Sequence, residues 1–148
     1  MTPSILLVNP PVYDFSAYDF WLRPYGLLRV GGMLRGRARV GLFDFMDRAA
    51  ADVPPGRWRR SDEYGRGEFY GQVVEKPAAL ADIPRRYHRF GRPRESFRRF
   101  LDARPPADFV LIGTTMTYWY PGVREVIEDI RSAWPTAKIV LGVMVRVP

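Results

Sequence analysis

Four short apolar runs alternate with helical patterns along this chain, and that alternation constrains its fold more than any other feature. Ile5, Leu6, Leu7 and Val8 are consecutive apolar residues, and Pro10 and Pro11 end the run because proline cannot donate to a strand ladder. Val40, Leu42, Phe43 and Phe45 mark a second strand, Val40–Phe45. Phe109, Val110, Leu111 and Ile112 mark a third, Asp108–Thr114, and Lys138–Leu141 a fourth. Between the first two, Tyr25–Arg35 predicts a helix with Leu27, Leu28, Val30 and Leu34 as its apolar stripe. Its Gly31 and Gly32 permit close approach to a sheet, and Gly36 stops it. Between the last two, Val123, Val126, Ile127, Ile130 and Trp134 recur at helical spacing. Arg124, Glu125, Glu128, Asp129 and Arg131 fill the opposite face, Pro121 suits the first turn and Pro135 ends the helix. Strands that are continuously apolar and separated by helices predict an α/β fold: a parallel sheet of about four strands with helices on both faces.

Two segments interrupt the pattern. Val12–Pro24 reads as a long loop rich in Tyr, Phe and Trp. Arg48–Pro106 is too long for a structureless loop in a compact domain. It reads as an insertion, 48–106, within a single domain spanning 1–148. One helix is expected in it, around Glu95–Ala103, with Phe97, Phe100 and Leu101 on its apolar side. The net charge of +7 concentrates there: Arg48–Arg104 carries 14 basic and 8 acidic residues. Arg57, Arg59, Arg60, Arg85, Arg86, Arg89, Arg98 and Arg99, interleaved with Trp58, Tyr87, Phe90, Phe97 and Phe100, would suit a phosphate backbone with stacked bases. Acids spread through the same stretch favour a solvated or domain-docking surface, so nucleic acid ranks behind a protein partner.

The chain has no cysteine, which removes disulfides, thiolate metal sites and a cysteine nucleophile. The single histidine, His88, lies among arginines without a second ligand at metal spacing and reads as a solvated surface residue. No glycine-rich phosphate loop or nucleophile elbow is present. The apolar run near Met1 is short and lacks a basic leader, and no run reaches the roughly 18 residues of a membrane span, so a soluble cytoplasmic protein without membrane contact is expected.

Ligands of open α/β sheets bind beyond the carboxyl ends of the strands. Three segments fall there: Asn9–Tyr13, Gly113–Tyr118 and Leu141–Gly142. Gly113 allows close backbone approach. Thr114, Thr115 and Thr117 offer hydroxyls, and Tyr118, Trp119 and Tyr120 offer flat apolar surface. The alternative for these residues is helix capping and core closure. Asp44 and Asp47, at the end of the second strand, read as loop caps in preference to a ribose site or general bases.

Ile5-Leu6-Leu7-Val8-Asn9-Pro10-Pro11, Tyr25-Gly26-Leu27-Leu28 and the run from Gly113 through Thr117-Tyr118-Trp119-Tyr120-Pro121-Gly122-Val123 resemble the N-terminal part of radical S-adenosylmethionine proteins that carry a cobalamin-binding domain. The resemblance covers residues 4–47 and 107–142. It implies a Rossmann-like (flavodoxin-like) domain that holds cobalamin at the carboxyl edge of its sheet, against a radical S-adenosylmethionine barrel or partner subunit. That barrel would carry the [4Fe–4S] cluster and S-adenosylmethionine, for methyl transfer or a related reaction. The implied cofactor-facing positions are Asn9, Pro10, Pro11, Thr114, Thr115, Met116, Thr117 and Gly142. The CxxxCxxC cluster motif and the DxHxxG motif of cobalamin-ligating mutases are both missing, and Asn-Pro-Pro stands where Asp-x-His would stand. After Leu141-Gly142 the resembled proteins continue with a second glycine, a loop and a fifth strand. Here Val143–Pro148 follows, so the domain is expected to be incomplete and not catalytic by itself. A cofactor-free docking module is the second expectation.

Overall fold

A computed structural model of the chain describes residues 1–20 and 23–143; the tail read above as truncated falls, beyond Val143, outside the described residues. In chain order the elements are β1 (Ser4–Asn9), β2 (Val12–Asp14), β3 (Tyr18–Asp19), α1 (Tyr25–Met33), β4 (Arg39–Asp44), β5 (Gly67–Glu68), β6 (Gly71–Val74), β7 (Tyr87–Phe90), α2 (Arg94–Asp102), β8 (Phe109–Thr114), α3 (Tyr120–Ala133) and β9 (Lys138–Val143). The main sheet has the order β4-β1-β8-β9, and every pair in it is parallel. This is the expected α/β, Rossmann-like architecture, with the strand order of a flavodoxin-like sheet.

Alternation along β1 divides the core. Leu6 and Val8 face α2 and α3, where they join Phe43, Val110 and Ile112 of the neighbouring strands, Phe97 and Leu101 of α2, and Val126 and Ile130 of α3. Ile5 and Leu7 face α1 and pack on Leu27. A Cβ on Gly31 would come within 3.0 Å of Leu7, so glycine there lets α1 lie close to the sheet. The stripe expected on α1 is narrower than the sequence suggests. Leu27 is its one buried residue, while Leu28 stays 44% exposed.

The two interrupting segments fold together. Residues of the 12–24 segment pair with residues of the insertion: β2, β7 and β6 form an antiparallel three-stranded sheet, and β3 pairs with β5. The loop reading of Val12–Pro24 is thus corrected, and the insertion contains strands besides the expected helix, which is α2. These strands are two to four residues long, too short for a period of two to declare itself. A small second core of Val12, Met46, Phe69 and Phe90 forms beneath them, with Trp119 packed against it.

The polar face assigned to α3 needs the largest correction. Glu125 and Asp129 are buried, 3% and 4% exposed. They face inward because the insertion brings arginines to them, as described below. No helix among the described residues is long and apolar enough to cross a membrane.

Candidate functional site at the carboxyl edge of the sheet

From β1 the chain runs outward to β4 on one side, and from β8 to β9 on the other. The loops leaving β1 and β8 therefore diverge, and a crevice opens between them at the point where the strand order reverses. A cavity of about 100 Å³ occupies it. Six of the eight implied contact residues line this cavity: Asn9, Pro10 and Pro11 from the exit of β1, and Thr114, Thr115 and Met116 from the exit of β8. The other two are elsewhere. Thr117 opens onto a depression of about 440 Å³ between α3 and β9. Gly142 contributes its carbonyl, which accepts the Thr114 hydroxyl at 2.7 Å.

The remaining wall includes Trp119, which the sequence offered as flat apolar surface, and Arg23, Met46, Phe69 and Val123, which it did not assign. Met46 lies two residues beyond β4 and was within reach of the carboxyl-edge rule. Phe69 arrives through β5 and β6, and nothing local in its sequence announces that position. Trp119 is fixed by its indole N–H, which donates to Asp14 Oδ2 at 2.8 Å.

Two glycines shape the crevice through what lies against them. A Cβ on Gly113 would meet Leu27 at 3.1 Å, so this glycine makes room for α1 while it also lines the crevice. A Cβ on Gly122 would overlap the carbonyl oxygen of Pro11. The start of α3 thus rests on the Pro10-Pro11 turn and holds that lip of the cavity in place.

The polar groups around the exit of β1 are engaged within the chain. Asn9 Nδ2 donates to Asp44 Oδ1 at 2.7 Å, and the amide of Met46 donates to the same oxygen at 2.9 Å. Burial raises the Asp44 pKa above the ordinary carboxylate range, while the Asn9 and Met46 hydrogen bonds act in the opposite direction. Asp47 accepts from the amide of Ala49 at 3.0 Å. Both acids cap the loop after β4.

The insertion is fastened to α3 by a buried ionic cluster. Arg89 donates to both carboxylate oxygens of Glu125, Nε at 2.8 Å and Nη2 at 2.6 Å, in the bidentate geometry that guanidinium and carboxylate favour. The Tyr13 hydroxyl donates to Glu125 Oε2 at 2.5 Å. Burial, followed by this contact with Glu125, raises the Tyr13 pKa well above that of a free phenol. Arg94 and Arg98 both donate to Asp129. The exit loop of β1, the small sheet and α3 are joined through these contacts.

The same geometry bears on two further readings, the disfavoured nucleic-acid alternative and the expectation for His88. Many of the arginines proposed as a phosphate track bond within the chain. Arg57 pairs with Glu68, Arg59 donates to the carbonyls of Ala51 and Val53, and Arg89 and Arg98 serve α3. Tyr87, Phe90 and Phe97 are buried and present no ring to a base. His88 is half-buried, stacked on Phe90 at 5.3 Å, and its Nδ1 is shielded without a hydrogen-bond partner among the described residues. It is not the solvated histidine expected, because β7 places it on the same face as Phe90.

Compared with protein-family models, with curated proteins and with solved structures, the chain gives no match.

Proposed function

We propose that this chain is a corrinoid-binding module of the radical S-adenosylmethionine kind, which positions its ligand at the carboxyl edge of the main sheet. The observation that carries the reading is the crevice between β1 and β8, lined by six of the eight residues that the resemblance implicates. Met116, Tyr118 and Tyr120, together with Tyr25 at the start of α1, stand exposed on the same edge and supply flat apolar surface. The crevice is smaller than the roughly 300–1,000 Å³ of ordinary ligand pockets. A corrin ring would have to rest at the mouth, where the residues lining the cavity, Thr115 and Phe69 among them, would hold one of its side arms. His88, the chain's one imidazole, lies on β7, so contacts to the ring and its amide arms would hold the ligand. The corrinoid would supply the carbon–cobalt chemistry, and the chain would orient it and exclude water. A cluster-bearing barrel would come from elsewhere, since this chain has no cysteine.

One observation favours the second reading, a docking module without cofactor. Asn9 and Thr114 already direct side-chain donors to Asp44 and Gly142 inside the chain. Titration with hydroxocobalamin, followed by absorbance and calorimetry, separates the two. The corrinoid reading expects saturation near one equivalent. Thr115→Trp, which fills the crevice, should abolish binding, whereas Thr117→Trp, on the far side of the loop, should leave most of it. Absence of binding by the folded chain would give precedence to the docking module.

A further inference from the structure

Residues 23–43, which include α1 and all of β4 but Asp44, contain five arginines and no acidic residue. Arg23 pairs with Asp19; the other four differ from most arginines of the insertion. Arg29, Arg35, Arg37 and Arg39 are exposed, and no carboxylate among the described residues forms a salt bridge with any of them. Asp108, whose carboxylate feels the charge of Arg39, is tied to the amide and hydroxyl of Ser4. Arg35, Arg37 and Arg39 follow one another through the turn into β4. They lie at its amino end, the end of the sheet away from the crevice.

β4 is the outer strand of the main sheet. Its ladder to β1 begins with the amide of Arg39 donating to Pro3 O and ends with the amide of Phe45 donating to Asn9 O. In a parallel ladder alternate residues turn their N–H and C=O to the same neighbour. Arg39, Gly41, Phe43 and Phe45 therefore face β1, and Val40 and Leu42 turn both backbone groups outward. No other strand covers that edge among the described residues. Val40 and Leu42 remain 37% and 40% exposed, although α1 approaches Val40 at Gly31.

We infer that the open edge of β4 is a docking site for an extended acidic segment of a partner protein, which adds there as a further strand. The outward amides and carbonyls of Val40 and Leu42 complement a peptide backbone, which neither a nucleic acid nor a lipid surface offers. The row of arginines selects carboxylates beside that backbone, and Val40 and Leu42 give the alternate, apolar side chains of the incoming strand a surface. Parallel pairing with a second copy of this chain would bring two arginine rows together; antiparallel pairing would not, so self-association of the chain through this edge in sedimentation equilibrium, without peptide binding, also overturns the inference.

The test uses the whole chain and a labelled synthetic peptide in which Asp alternates with Val over eight residues, read by fluorescence anisotropy and amide hydrogen exchange. Expected are saturable binding that weakens with salt and new exchange protection at the Val40 and Leu42 amides. Arg37→Glu with Arg39→Glu should weaken binding about tenfold or more. Leu42→Pro, which deletes an outward donor at a position an edge strand tolerates, should weaken it as well. Arg37 lies in the exposed turn and Arg39 is exposed at the first position of β4, so the outcome does not depend on Leu42→Pro folding. The inference is overturned if the peptide fails to bind, if binding ignores both kinds of variant, or if protection appears elsewhere. It is equally overturned if oligo-dT or anionic vesicles bind through these arginines and the peptide does not.

Discussion

Glu125 illustrates how a single side chain can decide the docking of a whole segment. Its carboxylate receives two hydrogen bonds from Arg89 and one from Tyr13, and all three groups lie at the junction of α3 with the small sheet. Removing one member of such a pair leaves the other charge buried without a partner, which costs about 3–5 kcal/mol, whereas replacing both by apolar residues of similar volume is often nearly neutral. Glu125→Ala is therefore expected to lower stability by about that amount in urea unfolding, and the double variant Glu125→Leu with Arg89→Met to recover most of it. A double variant as unstable as the single one would mean that hydrogen bonding, not the stranded charge, sets the cost. Gly122 shows the complementary case of a residue defined by what it lacks. With the Pro11 carbonyl where its Cβ would be, any side chain there must push α3 off the lip of the crevice.

At the scale of elements, guanidinium groups fasten the part of the insertion that has little secondary structure. Arg48 reaches Asp19 through Nε at 3.1 Å, the carbonyls of Trp58 and Arg60 through Nη1 at 3.1 Å, and Ser61 through Nη2 at 2.8 Å. One side chain thus satisfies the backbone of a loop that has little secondary structure of its own. Arg48→Ala should raise hydrogen-exchange rates from Trp58 through Glu68 while leaving β1 and β8 protected, which mass spectrometry of peptic fragments can check. α2 behaves differently. Phe97 and Leu101 are buried in the main core with Phe43 and Phe45, so this part of the insertion is integral to the sheet's own packing. That difference explains what could be read in advance. Phe97, Phe100 and Leu101 repeat at helical spacing and identify α2 in the sequence. β5, β6 and β7 carry no comparable period, because each is short and finds its partner far along the chain.

For the molecule as a whole, acid should act on the insertion and on the crevice in opposite senses. Burial alone would raise the Asp52 pKa, but hydrogen bonds from Arg92 and Ser96 outweigh it and hold it below the ordinary carboxylate range. The unfolded chain therefore binds this proton more readily than the folded one. The contribution of Asp52 is complete above about pH 4 and is lost as the pH falls through its folded value. Asp44, raised by burial, has the opposite sign: its folded carboxyl takes up a proton first, and stability is gained as the pH falls toward about pH 4. Unfolding measured between pH 3 and 7 should show Asp52→Asn less stable than the parent at neutral pH, with the gap closing in acid. Asp44→Asn should flatten the rise on the approach to pH 4. The parallel sheet, its order of elements, α2 and α3 were all determined by sequence, because a strand buried on both faces must be continuously apolar and a helix on a sheet must repeat its apolar residues every three to four positions. That a crevice opens at the exits of β1 and β8 followed from the same reading. Only the tertiary structure decided that Glu125 and Asp129 turn inward, that the 12–24 segment joins the insertion in a second sheet, and that Phe69 and Met46 complete the crevice. The reason is physical: a charged side chain is buried only where another part of the chain supplies its counter-charge. Arg89 lies 36 positions from Glu125, and no local pattern records that meeting.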